Sequence, residues 1–448
     1  MMHLTEIILN LTAVQLIHKL ETKTATIGVV GLGYVGLPLA VEKAKAGYNV
    51  IGFDIQEEKV NKVNNGENYI GDVIPADLKH LVESGKLKAT SDYSFIKDVD
   101  AITICVPTPL DIYKQPNMEY VKSSTEAISK YLNAGTLVVL ESTTYPGTTE
   151  ELIKPILEKN GHTIGKDIFL AYSPERIDPG NKHFKTKNTP KVVGGVTPAC
   201  TKVAATMYRS ILESEVHEVS SPAVAEMEKL LENTFRNINI ALANEMAILC
   251  NKMGIDVWEV IDAAKTKPYG YMPFYPGPGL GGHCIPIDPW YLTWKAREYN
   301  YHTRLIETAG EINDSMPDFI VQRCAEILNE QSKSLKGSKI LILGVAYKKD
   351  IDDYRESPVL PILNRLTKSG VEWEIVDPHV PEFMLNGQIF KTIDLTEDKL
   401  KSADLVLITT NHSSFKYEII EKESQVILDS RNSFENSVYR LNKQIYKL

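Results

Sequence analysis

The chain has 448 residues, too many for one ordinary core, so two or three domains are expected. Charged residues are 24% and apolar residues 43%, the balance of a globular protein, which excludes extended disorder. A formal net charge of −9, from 49 basic and 58 acidic residues, gives no general attraction to nucleic acid or to an anionic membrane surface.

The first twenty residues carry Ile7, Ile8, Leu11, Val14 and Ile17, interrupted by Glu6 and without a basic leader. They read as a short amphipathic helix rather than a signal peptide. A membrane-surface anchor is the weaker alternative, because Lys19 and Lys23 supply little charge. Residues 25–31 (ATIGVVG) form a continuous apolar, β-branched run and predict a buried strand. GLGYVG follows and turns into the helical text LPLAVEKAK, which Gly47 stops. YNVIGFD, DVDAITICVP and GTLVVLES predict further buried strands. Apolar strands alternating with helices indicate a parallel, doubly wound sheet.

Residues 222–253 keep helical periodicity throughout, with Ser221 as cap, Pro222 in the first turn and Gly254 as the end. More helical text lies at 255–265 and near 290–330. From Lys339 the strand–helix rhythm returns as KILILGVAY, a helix near 357–369, WEIVD, ADLVLITT and QVILD. The expected fold is α/β: two Rossmann-like, doubly wound parallel-sheet domains joined by a central helical segment. The expected boundaries are an N-terminal helical extension at 1–22, a dinucleotide-binding domain at 23–218, a helical domain with a glycine-rich cysteine loop at 219–330, and a second Rossmann-like domain at 331–448. That second copy lacks G-x-G-x-x-G, so it should bind something other than a dinucleotide pyrophosphate in the usual way.

Gly31, Gly33 and Gly36 form G-x-G-x-x-G between a strand and a helix. The glycines allow a tight turn and close approach of a pyrophosphate to the helix N-terminus. Asp54 closes the second strand eighteen residues after Gly36. A carboxylate there accepts from ribose hydroxyls and repels a 2′-phosphate, which favours NAD over NADP. A glycine-rich structural turn is the plainer alternative.

The five cysteines are Cys105, Cys200, Cys250, Cys284 and Cys324, with no C-x-x-C pair. A disulfide framework or a zinc site is not expected, no metal is called for, and a reducing cytoplasm fits best. Four of them sit in apolar strand or helix text and read as small buried hydrophobes. Cys284 follows PGPGLGGH, where so much Gly and Pro forbids a helix or a central strand. A thiol beside backbone that ligands can approach is a candidate nucleophile, and Asp288 lies four residues on. Lys229 and Asn233 share one face of the long helix at i and i+4 and can both donate to an oxyanion. Taken alone, they read equally as a solvated face.

Together GLGYVGLPLA, CVPTP, ESTTYPGTT, SPER, KLLENTFRNINIA, PGPGLGGHCIPIDP and YKKDIDDYRESP, in this order, resemble the UDP-glucose/GDP-mannose dehydrogenases. SPERIDPGN and PFYPGPGLGGHCIPIDP are most similar to the branch acting on UDP-N-acetylhexosamines, in particular UDP-N-acetylglucosamine. The resemblance implies an NAD-dependent, four-electron oxidation of a sugar C6 hydroxyl, with Cys284 forming a thiohemiacetal and then a thioester. It implies oxyanion contacts from Lys229 and Asn233, water or proton handling by Asp288 and Thr143, and a hydrolytic base at Glu175. NAD contacts are expected from Gly31, Gly33, Tyr34, Val35, Gly36, Asp54, Pro107, Thr108, Thr143 and Arg355. UDP-sugar contacts are expected from Glu175, Arg176, Lys229, Asn233, Tyr275, Gly281, Lys348 and Arg431. A homodimer through the helix near 222–253 is also implied.

Two positions depart from the glucose-specific enzymes. Pro268 stands where they carry an arginine, and Pro179 where they carry a second glutamate. Both departures argue against glucose and agree with an N-acetyl group at C2. The manno and galacto epimers, and glucose itself, stay open as alternatives, and a non-catalytic nucleotide-sugar-binding regulator is the rival of another class. An aldehyde dehydrogenase of unrelated fold also uses cysteine and NAD, but the double-Rossmann layout speaks against it.

Overall fold

The computed structural model describes residues 9–176, 181, 183–282, 284–434 and 444–448. Ile7, Ile8 and Pro179, singled out above, lie outside the described residues. The chain divides into two compact units: Met1–Glu232 with Trp290–Asn300, and Asn233–Pro289 with Tyr301–Leu448.

Among the described residues, the first unit is built on eight strands: β1 (Thr26–Val30), β2 (Asn49–Phe53), β3 (Leu87–Thr90), β4 (Ala101–Ile104), β5 (Leu137–Leu140), β6 (Phe169–Tyr172), β7 (Lys191–Gly195) and β8 (Val216–Val219). Their order is β3-β2-β1-β4-β5-β6-β7-β8, and every pair is parallel except β6–β7. The first six strands therefore follow the 3-2-1-4-5-6 order of a dinucleotide-binding sheet, and β7 and β8 extend one edge. All residues of β4, β5 and β6 are buried, which is why DVDAITICVP and GTLVVLES read as buried strands. The helix Gly36–Lys45 buries Leu37, Leu39, Ala40 and Val41 in the same core, and Gly47 turns out of it at φ +107°.

The N-terminal helix spans Leu11–Glu21, but its packed face differs from the one expected. Ala13, Leu16 and Leu20 are buried, whereas Leu11 is 72% and Val14 48% exposed. The register is set by Asn10, whose side chain accepts from Ala13 N–H at 2.8 Å while its amide donates to Gly165 and Lys166 carbonyls at 3.2 and 3.0 Å. Among the described residues of that stripe, only Ile17 packs partly against the core.

The second unit holds β9 (Lys339–Leu343), β10 (Glu372–Val376), β11 (Glu382–Leu385), β12 (Gln388–Lys391), β13 (Leu405–Ile408), β14 (Val426–Asp429) and β15 (Gln444–Lys447). Five of these form a parallel sheet in the order β10-β9-β13-β14-β15, and β11–β12 is a separate antiparallel hairpin. That sheet has the 2-1-3-4-5 order of the other common doubly wound fold, with its switch point between β9 and β13. Val359–Lys368 and Arg304–Glu330 bury Ile362, Leu363, Met316, Ile320 and Ile327 in one core. The helix Pro222–Met253 begins where Ser221 Oγ accepts from Val224 N–H at 3.4 Å and ends before Gly254 at φ +70°. Its first turns belong to the first unit and its remainder to the second.

Candidate active site

In the first unit the chain leaves β1 through Gly31 at φ +91°, whose N–H donates to Phe53 O at 2.7 Å. A Cβ on Gly31 would lie 2.6 Å from Cys105 O, and one on Gly36 would lie 1.7 Å from Gly31 O. These two glycines are required by the protein's own packing. A Cβ on Gly33 would meet nothing within 4 Å, so Gly33 is not required by packing and opens onto free space. Asp54 is 7% exposed and accepts from Leu32 N–H and Gln56 N–H, each at 2.9 Å, with Lys59 Nζ at 3.8 Å. Tyr69 donates to Leu32 O at 2.7 Å. Tyr34 is exposed and Val35 half-buried just ahead of the helix. Pro107 and Thr108 follow β4, where Thr108 O accepts from Tyr291 at 2.5 Å, and Thr143 is half-buried just beyond β5. Backbone that opens onto space at a helix start, beside a fixed carboxylate, fits a dinucleotide pyrophosphate and its ribose.

The same unit brings Glu175 and Lys229 together. Lys229 is 6% exposed, and its Nζ donates to Glu175 O at 2.5 Å. The Glu175 carboxylate accepts from Arg176 N–H at 2.7 Å and lies 3.7 Å from Lys191 Nζ. Lys191 in turn pairs with buried Glu141 at 2.6 Å, whose other oxygen takes the Tyr208 hydroxyl at 2.6 Å. Burial pulls nearby Lys43 down to about 8, against the attraction of Glu141. Arg176 bonds Glu232 and Pro190 O and lies 3.6 Å from Glu228. Burial, then the hydrogen bond and charge of Glu232, push Glu228 up to about 7, with Arg176 opposing.

In the second unit Asn233 and Asp288 are 5% and 1% exposed and joined by an Nδ2–H···Oδ2 bond of 2.5 Å. Asp288 opens the helix Asp288–Ala296, where a carboxylate is favoured by the helix dipole. Its N–H donates to Cys284 O at 2.8 Å, and Asn237 holds Ile285 O at 3.1 Å. Cys284 is half-buried, whereas Cys105, Cys200, Cys250 and Cys324 are buried. Burial lifts the Cys105 thiol far above its ordinary value and the Cys324 thiol to about 12, which makes both poor nucleophiles.

The cysteine loop is glycine-rich because side chains press on it. A Cβ on Gly277 would lie 2.5 Å from the Arg431 guanidinium, one on Gly279 2.9 Å from Pro358, and one on Gly281 2.4 Å from Tyr347 Cβ. Arg431 also donates to Thr409 O at 2.9 Å. Lys348 is half-buried in the loop after β9. Arg355 forms a bidentate pair with Asp353 at 2.8 and 2.9 Å. The Tyr275 hydroxyl is engaged by Asp262 at 2.8 Å and Lys265 at 3.1 Å, and its ring stacks on Trp258. His283, next to the cysteine, lies outside the described residues.

Sequence reasoning overlooked several residues. Buried Glu226 accepts from Gly147 N–H at 2.6 Å and Thr149 N–H at 2.9 Å, tying the start of the long helix to the segment after β5. Lys191, Glu141 and Tyr347 were also missed, since each sits in text that reads as strand end or turn. Asp377 carried a signal, because WEIVD repeats the pattern of VIGFD.

Comparison with known proteins divides the chain into three parts. Models of the UDP-glucose/GDP-mannose dehydrogenase family match along the chain: its NAD-binding domain at residues 25–212, its central domain at 223–315 and its UDP-binding domain at 341–436. A UDP-N-acetyl-D-glucosamine 6-dehydrogenase from Pseudomonas aeruginosa is 39% identical over 80% of this chain and 84% of its own. A UDP-N-acetyl-D-mannosamine dehydrogenase from Campylobacter jejuni is 37% identical over 86% of this chain and 95% of its own. The solved structure of a UDP-D-ManNAc dehydrogenase from Pyrococcus horikoshii superposes with a TM-score of 0.86 at 34% identity, covering 94% of this chain and 98% of that one.

Proposed function

The chain belongs to the UDP-glucose/GDP-mannose dehydrogenase family, an NAD-dependent family, and on that premise we propose that it oxidises C6 of UDP-N-acetylglucosamine to the uronic acid in two steps through Cys284. The observation that carries this reading is the contrast among the cysteines. Cys284 alone of the five is partly exposed, and its carbonyl anchors the buried Asp288–Asn233 pair.

Gly31, Gly33, Gly36 and Asp54 would hold the cofactor, with Tyr34, Val35, Pro107, Thr108, Thr143 and Arg355 as further contacts. When bound, NAD supplies the acceptor for the hydride lost from C6 in each oxidation. The first oxidation turns the C6 alcohol into an aldehyde and releases the hydroxyl proton. The Cys284 thiolate adds to the aldehyde carbon, and the new oxyanion is met by Lys229 and the second amide hydrogen of Asn233. Loss of hydride from this thiohemiacetal leaves a thioester. Water held by Thr143 and Asp288 gives a proton to Glu175, attacks the thioester carbon and expels the thiolate, which leaves the carboxylate. The covalent bond keeps the reactive aldehyde in place between the two oxidations. Arg176, Tyr275, Gly281, Lys348 and Arg431 are the proposed contacts to the UDP-sugar, a set able to neutralise a diphosphate on a chain that is acidic overall.

The manno epimer is the second reading, because a relative bearing that name matches at 37% identity against 39% for the gluco enzyme. The test is NADH formation with UDP-N-acetylglucosamine, its manno and galacto epimers and UDP-glucose, each with NAD and with NADP. Fastest turnover with UDP-N-acetylglucosamine and NAD supports the reading. Faster turnover with another sugar moves the specificity, and no turnover with any of them, in folded protein that binds UDP-sugar, leaves the regulator.

We also infer a homodimer. Met227, Leu231, Phe235, Leu242, Leu249 and Met253 are exposed along the helix Pro222–Met253 at spacings of four and seven, one continuous apolar stripe. Leu231→Glu with Leu242→Glu should halve the mass seen by light scattering, and an unchanged mass would remove the stripe from the interface. Among the described residues, no helix is long and apolar enough to cross a membrane.

A further inference from the structure

In the second unit a buried imidazole is linked by a series of contacts to Gly281 and Gly282, three and two residues before Cys284. The series starts at the cysteine loop. A Cβ on Gly281 would lie 2.4 Å from Tyr347 Cβ, and one on Gly282 would lie 2.9 Å from the Tyr347 ring, so this one side chain braces both glycines. Tyr347 belongs to the segment that leaves β9, and its N–H donates to Asp353 O at 3.2 Å. That segment is tied at both ends. Upstream, the N–H groups of Val345 and Ala346 donate to Asp377 Oδ2 at 2.7 and 3.0 Å. Downstream, Asp350 N–H donates to His412 Nδ1 at 3.1 Å. His412 Nε2 lies 3.1 Å from the same Asp377 Oδ2, which closes the ring.

The chemistry of the imidazole follows from its partners. Nδ1 accepts a backbone N–H and so carries the lone pair, which leaves the proton on Nε2 to donate to Asp377. His412 is wholly buried, as is the Asp377 side chain. Asp350 sits at φ +60°, a left-handed conformation that a residue with a Cβ avoids unless its surroundings fix it. Those surroundings are His412 on its N–H, and Ser413 N–H and Oγ on its carboxylate, both at 2.7 Å. Without the Nδ1 acceptor, Asp350 N–H would be left without this partner and the reason for its backbone conformation would weaken.

We propose that His412 is a positioning residue for Cys284. Through Asp350 it fixes the segment 345–350, that segment fixes Tyr347, and Tyr347 fixes the glycine pair that sets the cysteine. The effect on turnover rests on the reading of Cys284 as the nucleophile; the effect on the thiol itself does not.

The test measures the rate at which iodoacetamide modifies Cys284 in the full chain, followed by peptide mass spectrometry, alongside kcat and KM. His412→Phe keeps a ring of similar shape but offers no acceptor. It should change the Cys284 modification rate by about fivefold or more and lower kcat by about tenfold or more, with KM for UDP-sugar moving by less than about threefold. His412→Asn puts an acceptor oxygen in place of Nδ1 and should return both rates to within about threefold of the parent. In a Tyr347→Ala background, His412→Phe should add nothing, because the brace it acts through is gone. Should His412→Phe not fold, His412→Gln carries the same test, since it reaches Asp377 but lacks the Nδ1 acceptor. A modification rate unchanged in folded His412→Phe or His412→Gln, or effects of His412→Phe and Tyr347→Ala that multiply, would overturn the proposal. Cys284→Ser keeps the two claims apart: turnover surviving in that variant would sink the nucleophile reading and leave the iodoacetamide result on the parent chain intact.

Discussion

The two sheets build the same corner and fill it differently. In each, the first strand ends in a left-handed glycine, Gly31 at φ +91° and Gly344 at φ +97°. Each glycine N–H donates to the last residue of the neighbouring strand, Phe53 O at 2.7 Å and Val376 O at 2.8 Å. A Cβ on either would strike the segment after the strand on its other side, Cys105 O at 2.6 Å and Thr410 Cβ at 2.4 Å. An aspartate follows the second strand in both. Asp54 accepts from two backbone N–H groups, and the loop beside it opens onto space at Gly33. Asp377 accepts from Val345, Ala346, His379 and Val380 N–H and from His412, and its side chain is wholly buried. The glycine–aspartate frame is thus a device of the fold, and what occupies the corner decides whether a dinucleotide can. This gives a structural reason for the lack of G-x-G-x-x-G after β9: side-chain bonds take the place of a ligand-facing loop.

The sharpest way to break this comparison is at the first corner. Gly36→Ala places a Cβ 1.7 Å from Gly31 O and should destabilise the unit by about 3 kcal/mol or more. Gly33→Ala meets no protein atom, so stability should change by less than about 0.5 kcal/mol while NAD affinity falls by about tenfold or more. Thermal melts with NAD titration read both, and a Gly33→Ala chain that binds NAD normally would remove the dinucleotide from that space.

The aspartates come next. Asp377→Asn turns an acceptor of five bonds into a group with a donor facing other donors, and should cost about 2–4 kcal/mol in denaturant unfolding. Asp54→Asn should cost only about 1 kcal/mol but narrow the preference for NAD over NADP in steady-state rates. Equal stability losses at the two positions would erase the distinction.

The smallest effect contrasts the ionisable cluster around Arg176 with the fully bonded Asp377. Glu228 is raised in the fold from its ordinary 4.5 to about 7, by burial first and by Glu232 second. The folded chain therefore holds a proton that the unfolded chain loses over that range, and the stability this lends is lost as pH rises through about 7. Glu228→Gln should raise the melting midpoint near about pH 8 and leave it unchanged near about pH 4. A midpoint shift of the same size at both values would show that the carboxyl does not titrate as placed.

Much of this was legible in the sequence because it depends on local chemistry. Continuous apolar runs marked β1, β4, β5, β9 and β13, and the glycine spacing marked the dinucleotide corner. The antiparallel β6–β7 pair was not legible, since pairing direction at a sheet edge leaves little trace in short strands. The N-terminal helix was read on the wrong face because Asn10, with partners 155 and 156 residues away, sets its register. By sequence alone, the glycines before Cys284 read as backbone that a ligand can approach. At Gly281 and Gly282 the neighbour is largely the side chain of Tyr347, more than sixty residues on. Long-range contacts of that kind, including His412 on Asp350, are set by topology rather than by spacing.

The most direct test of the Cys284 reading is the number of NADH formed per UDP-N-acetylglucosamine when sugar is limiting and NAD is in excess. Retention of the aldehyde on the cysteine predicts about two NADH per sugar and a uronic acid as the only product. About one NADH per sugar, with aldehyde appearing in solution, would contradict it.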